Sequence, residues 1–324
     1  MEFDQLRLFV DLVREQSFTK VAERNFITQP AVSLSIQKLE DELGTKLLER
    51  TTRKVLVTEE GRILYDYARD ILEKAQEAKF VLQERQDKML GSIRLATVHS
   101  VGLYELPASL KEFIRRCPEV NIHVEYKLSD QVYHSVVDGD VDLGLVAYPE
   151  PRSGVTTLSF FEDELVLICN NEHPLASREK IVLKDLTGCR FVAFAAEIPT
   201  RKAIDALFQQ NDVRIDVRME CDNIEILKKM VEVGLGISMV PLLAVREEAR
   251  NGTLRVHRLS DHVIRRPLAI IHRKGKTLSR PQRAFVELLT TEGDELLRRD
   301  LELQEINRAK RRMALEAQPE PAVR

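Results

Sequence analysis

Thr28, Gln29, Pro30, Ser33, Ser35 and Lys38 share one short stretch that carries no acidic residue before Glu40. Their chemistry suits base and phosphate contact: Gln can address adenine, Ser and Thr can reach either, and Lys can meet a phosphate. Arg50, Arg53 and Lys54, beside Thr51 and Thr52, form a second cluster of phosphate-contacting groups. A third set is scattered: His99, Ser100 and Val101, then Ser129, then Ala147, then Thr200 with Arg201. Hydroxyls and a guanidinium can hold a carboxylate, sulfate or phosphate. No Walker-type phosphate loop, GxGxxG fingerprint, HExxH or GxSxG motif appears, so the chain reads as a non-enzyme. Cys117, Cys169, Cys189 and Cys221 lie far apart without a CxxC or Cys/His pair, so neither a metal nor another cofactor is expected. Scattered thiols without a secretory signal read as reduced and cytoplasmic, with a redox switch as the alternative.

The groove-reading set needs a helix to carry it. Phe18, Val21, Ala22 and Phe26 recur at helical spacing, and Ala31, Val32, Ile36, Leu39 and Leu43 mark one face of a second helix. Thr28 is placed to cap that second helix, with Pro30 in its first turn. Two short helices joined by a tight turn form a helix-turn-helix, whose second helix fits the major groove. An ordinary helical hairpin would show the same spacing. Leu47 to Thr58 reads as a two-stranded wing with the Arg50, Arg53 and Lys54 cluster at its tip. A solvated turn explains those charges but not their position after such a helix pair. The first 58 residues hold nine Lys/Arg and nine Asp/Glu, and the whole chain carries a net charge of −3. Attraction to DNA must therefore come from local placement.

Taken together these residues resemble the LysR-type transcriptional regulators. The resemblance runs through Leu6 to Val10, Ser17 to Ala22, Thr28 to Ser33, Ile36 to Gly44, Leu47 to Arg50 and Thr58 to Gly61, and it extends over about residues 1 to 295. In subgroup it is similar to regulators of carbon fixation and of cysteine or sulfur metabolism.

Residues 59 to 89 read as one long helix, with Leu64, Tyr67 or Ala68, Ile71, Ala75, Ala78 and Leu82 near the heptad period. Packing on its own domain is one reading. A narrow seam on a helix about 45 Å long favours pairing with a second copy, as the resemblance also implies. From Gly91 onward, strand-like and helical runs alternate. Ile93–Val98, Asn121–Lys127 and Leu143–Ala147 are strands, with helices at Glu105–Arg116 and Asp130–Asp138. A second series opens at Leu165–Cys169 and runs to Pro241, and Pro267–Ile271 with Arg280–Glu292 returns to the first. The resemblance implies two α/β lobes of periplasmic-binding-protein type with the effector between them. It matches Ser100 to the family's usual small hydroxyl, and Thr200-Arg201 to a recurring helix start. Helix capping and a surface arginine are the plainer readings, and His99 reads as a lining residue rather than a catalyst.

The expected fold is an α+β multidomain chain. A winged helix-turn-helix spans 1–58, a linker and dimerisation helix 59–90, and an effector-binding domain 91–295. Lobe I covers about 91–161 plus 267–295, lobe II about 162–266, and a charged tail 296–324. The expected function is sequence-specific transcription regulation controlled by a small anionic metabolite. The expected partners are double-stranded DNA, that effector, RNA polymerase and one or three further copies of the chain, with no membrane. The alternative is a solute-binding-type receptor without a role on DNA.

Overall fold

Leu6, Phe9 and Leu12 recur at helical spacing along α1 (Phe3–Glu15), and all three are buried. Phe9 and Leu12 meet Val21 and Ala22 of α2 (Phe18–Arg24) and Val32, Ile36 and Leu39 of α3 (Gln29–Leu43) in one core. The computed structural model describes residues 1–50, 55–83 and 89–297. These fall into two units, Met1–Lys88 and Met89–Arg324.

In the first unit, the Ser17 hydroxyl accepts from the Lys20 N–H at 3.3 Å and starts α2. Thr28 occupies the N-cap position of α3, but its side chain makes no capping hydrogen bond, which corrects the cap expectation. The reason is local. Pro30 has no N–H to give, and the Ala31 N–H is taken by the Thr28 carbonyl. Two residues expected on the inner face of α3, Ala31 and Leu43, are exposed instead. Strands β1 (Leu48–Arg50) and β2 (Val55–Val57) pair antiparallel, Leu48 opposite Val57. The wing tip with Arg53 and Lys54 lies outside the described residues, as does the side chain of Arg50.

Helix α4 (Glu59–Gln83) starts where the Thr58 hydroxyl accepts from the Gly61 N–H at 3.0 Å. The expected seam needs correction here. Ala68 is fully buried against Leu6 and Val10 of α1, and Leu64 packs into the same core. Both belong to the unit's own interior. The apolar stripe left uncovered is Ile63, Tyr67 and Ile71, with Ala78 exposed further along. The Leu82 side chain lies outside the described residues.

In the second unit, β3 (Gly91–Thr97) pairs in parallel with β4 (Val120–Tyr126) and β5 (Leu143–Ala147). Residues 155 to 164, unassigned in the sequence reading, extend Leu165–Cys169 into one long strand, β6 (Val155–Cys169). It runs antiparallel to β11 (Ile264–Arg273) through both lobes, with a register shift at Leu268/Ala269. In lobe I, Ile93, Leu95, Leu143, Leu145, Leu268 and Ile270 face α5 (Leu106–Arg116) and α10 (Arg280–Thr291). Their neighbours Ala96, Val146, Ala269 and Ile271 face α6 (Ser129–Val137). In lobe II, alternate residues of β6 face opposite ways in the same manner. Leu165 and Leu167 pack with Phe191 of β7 (Arg190–Phe194) and with Ile204 and Phe208 of α7 (Pro199–Gln210). Val166 and Ile168 pack with Leu227 and Val231 of α8 (Ile224–Glu232). Strands β8 (Asp216–Cys221), β9 (Ser238–Pro241) and β10 (Arg255–His257), with the short α9 (Arg246–Asn251), complete the lobe. Period-two burial on both faces is what a helix-covered sheet demands. Leu296 and Leu297, expected to begin the tail, pack into lobe I or are buried.

Candidate functional site

Along α3, Thr28, Gln29, Pro30 and Lys38 are exposed, and Ser33 and Ser35 are half-buried. The helix is held from behind by Glu40, which is buried. Its carboxylate accepts from the Leu47 and Leu48 N–H groups at 2.9 and 3.2 Å and from Lys46 at 2.8 Å. Burial alone would raise the Glu40 pKa, but Lys46 and the two N–H groups outweigh it and hold the carboxyl below its ordinary value. One side chain therefore fixes the end of the helix to the first strand of the wing. Three exposed apolar residues, Phe26, Ile27 and Leu34, also lie in the turn and on the helix. Phe26 has φ +55° and is 96% exposed, because the turn needs a left-handed residue there and points its side chain outward.

The second site is a cleft between the lobes, about 590 Å³ including its open mouth. Val98, His99 and Ser100 line it after β3, Leu128 and Ser129 at the start of α6, and Ala147 at the end of β5. From lobe II come Ile198, Pro199 and Thr200 at the start of α7, and Asp222 and Ile224 at the start of α8. Three helices thus begin at one cavity: the starts of α6 and α7 favour an anion, whereas at α8 the Glu225 and Ile226 N–H groups donate to Asn223 and Asp222 brings a carboxylate. His99 is stacked on Tyr126, ring centroids 5.0 Å apart. Tyr126 passes so close to Gly102 that a Cβ there would lie 2.5 Å from its ring.

Five of the expected effector residues, His99, Ser100, Ser129, Ala147 and Thr200, line this cavity, and two do not. Val101 is fully buried in the core of lobe I. Arg201 is absent from the lining and is engaged through Nε and Nη1. It donates to Asp205 at 2.8 Å, to Glu220 at 2.8 Å and to the Phe194 carbonyl at 2.7 Å. Its charge is spent inside lobe II.

An arginine that does reach the cavity is Arg266 of β11. Its side chain is 1% exposed and donates to Ser100 Oγ at 2.5 Å and to Glu105 Oε1 at 2.8 Å, with Asp163 Oδ2 at 3.8 Å. Glu105 ends a π-helical turn, Val101–Glu105, that brings it over β11. Burial raises the Glu105 carboxyl to about 7, against the pull of Arg266, and raises Asp163 as well. Lys127 also lines the cavity, tied to Ser135 at 2.7 Å and Glu125 at 2.8 Å. The sequence reading began this strand at Pro267 and passed over Arg266. One signal was available: two adjacent arginines entering an apolar strand must face opposite ways, so one of them is carried inward. Arg265 is the outer one, paired with Glu162.

The four thiols are all pushed up by burial, Cys169 to about 11, the opposite of a reactive redox thiol.

Residues 3–62 match the bacterial regulatory helix-turn-helix of the lysR family, and residues 86–294 match the LysR substrate binding domain. The chain belongs to the LysR family. A "Probable RuBisCO transcriptional regulator" of Cyanophora paradoxa is 33% identical over 294 residues, covering 89% of this chain and 91% of that protein. Full-length OxyR from Pseudomonas aeruginosa shares the fold, with a TM-score of 0.72 and 24% identity over 90% of this chain and 98% of that one. The regulatory domain of CcmR from Synechocystis, solved in complex with 2-PG, has a TM-score of 0.58 and 26% identity, covering 62% of this chain and 96% of that one. The protein is thus a DNA-binding transcriptional regulator with an effector-binding domain of two α/β lobes.

Proposed function

We propose that α3 reads an operator with Thr28, Gln29, Pro30, Ser33, Ser35 and Lys38, while the cleft takes a small anionic metabolite on Arg266 and Ser100. RNA polymerase at the same promoter and a second copy joined through Ile63, Tyr67 and Ile71 of α4 complete the assembly. The observation that carries the effector reading is Arg266, buried at the cavity wall and bonded to a lining hydroxyl. Such a cation costs too much to bury for packing alone. Ser129 and Thr200 supply further hydroxyls at two helix starts. The names of the relatives suggest genes of carbon fixation as targets, and the 2-PG of CcmR suggests the size and charge of the ligand.

Titration of the full-length protein with 2-PG by calorimetry tests this. Arg266→Gln should weaken binding by about ten- to a hundred-fold, the loss of a charge-assisted hydrogen bond. Unchanged affinity in the variant would remove Arg266 from the site. Mapping bound sites across the genome tests the operator side, since the neighbouring genes name the pathway.

A further inference from the structure

Arg266 serves two masters. One nitrogen of its guanidinium reaches Ser100 at the cavity wall and another reaches Glu105 behind it, at 2.5 and 2.8 Å. Glu105 is itself sealed from water, its side chain 2% exposed. Its second oxygen, Oε2, has no hydrogen-bond partner, and neither has Arg266 Nε. An anion arriving at Arg266 would therefore share one guanidinium with a buried carboxylate. Two negative charges on one cation in a dry site repel strongly, and the cheapest relief is a proton on the carboxylate that water cannot reach.

We propose that the effector site takes up an anion together with a proton, the proton going from solvent to Glu105. This rests on the reading of the cleft as an anion site. Within the pair charge balances: Arg266 with ionised Glu105 is neutral, and after uptake Arg266 faces the anion while Glu105 is an uncharged acid, with Asp163 keeping its own donors in both states. No donor satisfies Oε2 as a charged oxygen, and burying it uncharged costs less. The pKa direction agrees, since burial already holds Glu105 near 7 before any anion arrives. Among the described residues, the groups acting on Glu105 are Arg266 from β11 and Asp163 from β6. Asp163 is steadied by the Glu164 and Leu243 N–H groups and by Arg246. Tyr148, at the end of β5, feels both Arg266 and Asp163 and is pushed up to about 12, so it stays neutral. His99 lines the same cavity, and its variant serves as the control for the imidazole.

Sulfate keeps its charge across the neutral range, so the full-length protein is titrated with sulfate at constant ionic strength. Wild type should bind about tenfold more tightly near pH 6 than near pH 8, the span over which Glu105 would otherwise ionise. Glu105→Gln should bind equally at both pH values, and His99→Asn should keep the tenfold ratio. Calorimetry of wild type near pH 8 in two buffers of different ionisation heat should show net proton uptake, which needs no variant to fold. Equal wild-type affinity at both pH values, or a ratio lost in His99→Asn and kept in Glu105→Gln, overturns the linkage while leaving the anion site standing. No sulfate binding at either pH overturns the anion reading and the linkage with it.

Discussion

Arg201 and Arg266 show what decides a residue's role. Both are arginines near the cleft, but Arg201 meets two carboxylates and a carbonyl on its own lobe, whereas Arg266 reaches a lining serine. Arg201→Ala should therefore lower the stability of lobe II by about 1–2 kcal/mol in denaturant melts, since Asp205 and Glu220 are half-exposed and water can replace most of the loss. Its affinity for 2-PG should stay within about threefold of wild type, well under the 1.4 kcal/mol that a tenfold loss represents. A tenfold loss would return Arg201 to the site. The hydroxyls Ser100, Ser129 and Thr200 were legible in the sequence because each follows a strand or begins a helix, and such positions face the cleft. Arg266 and Glu105 were not. They are 161 positions apart in the chain, and only the crossing of β11 past the π-helical turn brings them together. Spacing along a sequence carries no trace of that meeting.

At the scale of elements, helices were readable from the spacing of their buried residues, and strands from unbroken apolar runs such as Leu143–Ala147, which is buried throughout and sends successive residues into cores on opposite faces. The seam of α4 was not readable in full. A helix with two apolar stripes looks the same in sequence whichever stripe its own domain claims, and α1 claims Leu64 and Ala68. What remains is Ile63, Tyr67 and Ile71. Tyr67→Asp with Ile71→Asp should halve the mass by light scattering, because each places an unpaired charge in the proposed contact. An unchanged mass would assign assembly to another surface. The recognition helix offers a second test. Glu40→Ala strips the acceptor from two buried N–H groups and should cost about 1–3 kcal/mol of the first unit's stability, with Glu40→Gln costing less. The sign with pH follows from its depressed carboxyl. The stabilisation is complete above the ordinary value of 4.5 and is lost as pH falls through the lower folded value. Acid titration of stability in wild type and Glu40→Gln reads that difference, and parallel curves would deny Glu40 the role.

Across the whole effector domain, two features join the lobes. The first is the pair of long strands β6 and β11, which run side by side through both. The second is the π-helical turn, where neighbouring residues point opposite ways. Glu105 turns to Arg266 at the cavity wall, and Tyr104 packs into the core of lobe II, its hydroxyl accepting from Lys228 at 3.2 Å. Lys228 is buried and also meets Glu225, Glu248 and the Ala244 carbonyl at 2.8 or 2.9 Å. A single turn thus touches both the cavity's arginine and the far lobe, and π-helical turns recur at functional sites. An effector changes operator affinity only by binding one arrangement of the protein better than another. If this turn distinguishes the arrangements, Tyr104→Phe keeps the ring in its core and removes only one of the acceptors of Lys228. Anion affinity should then change little, because Tyr104 does not line the cleft. The effector's influence on operator affinity should shrink by about 0.5–2 kcal/mol, as for a residue that lies between two coupled sites. Footprinting with and without 2-PG measures the coupling, and calorimetry measures the affinity. Coupling equal to wild type would leave β6 and β11 as the link between the lobes, and a parallel fall in affinity would mean that the hydroxyl shapes the cleft itself.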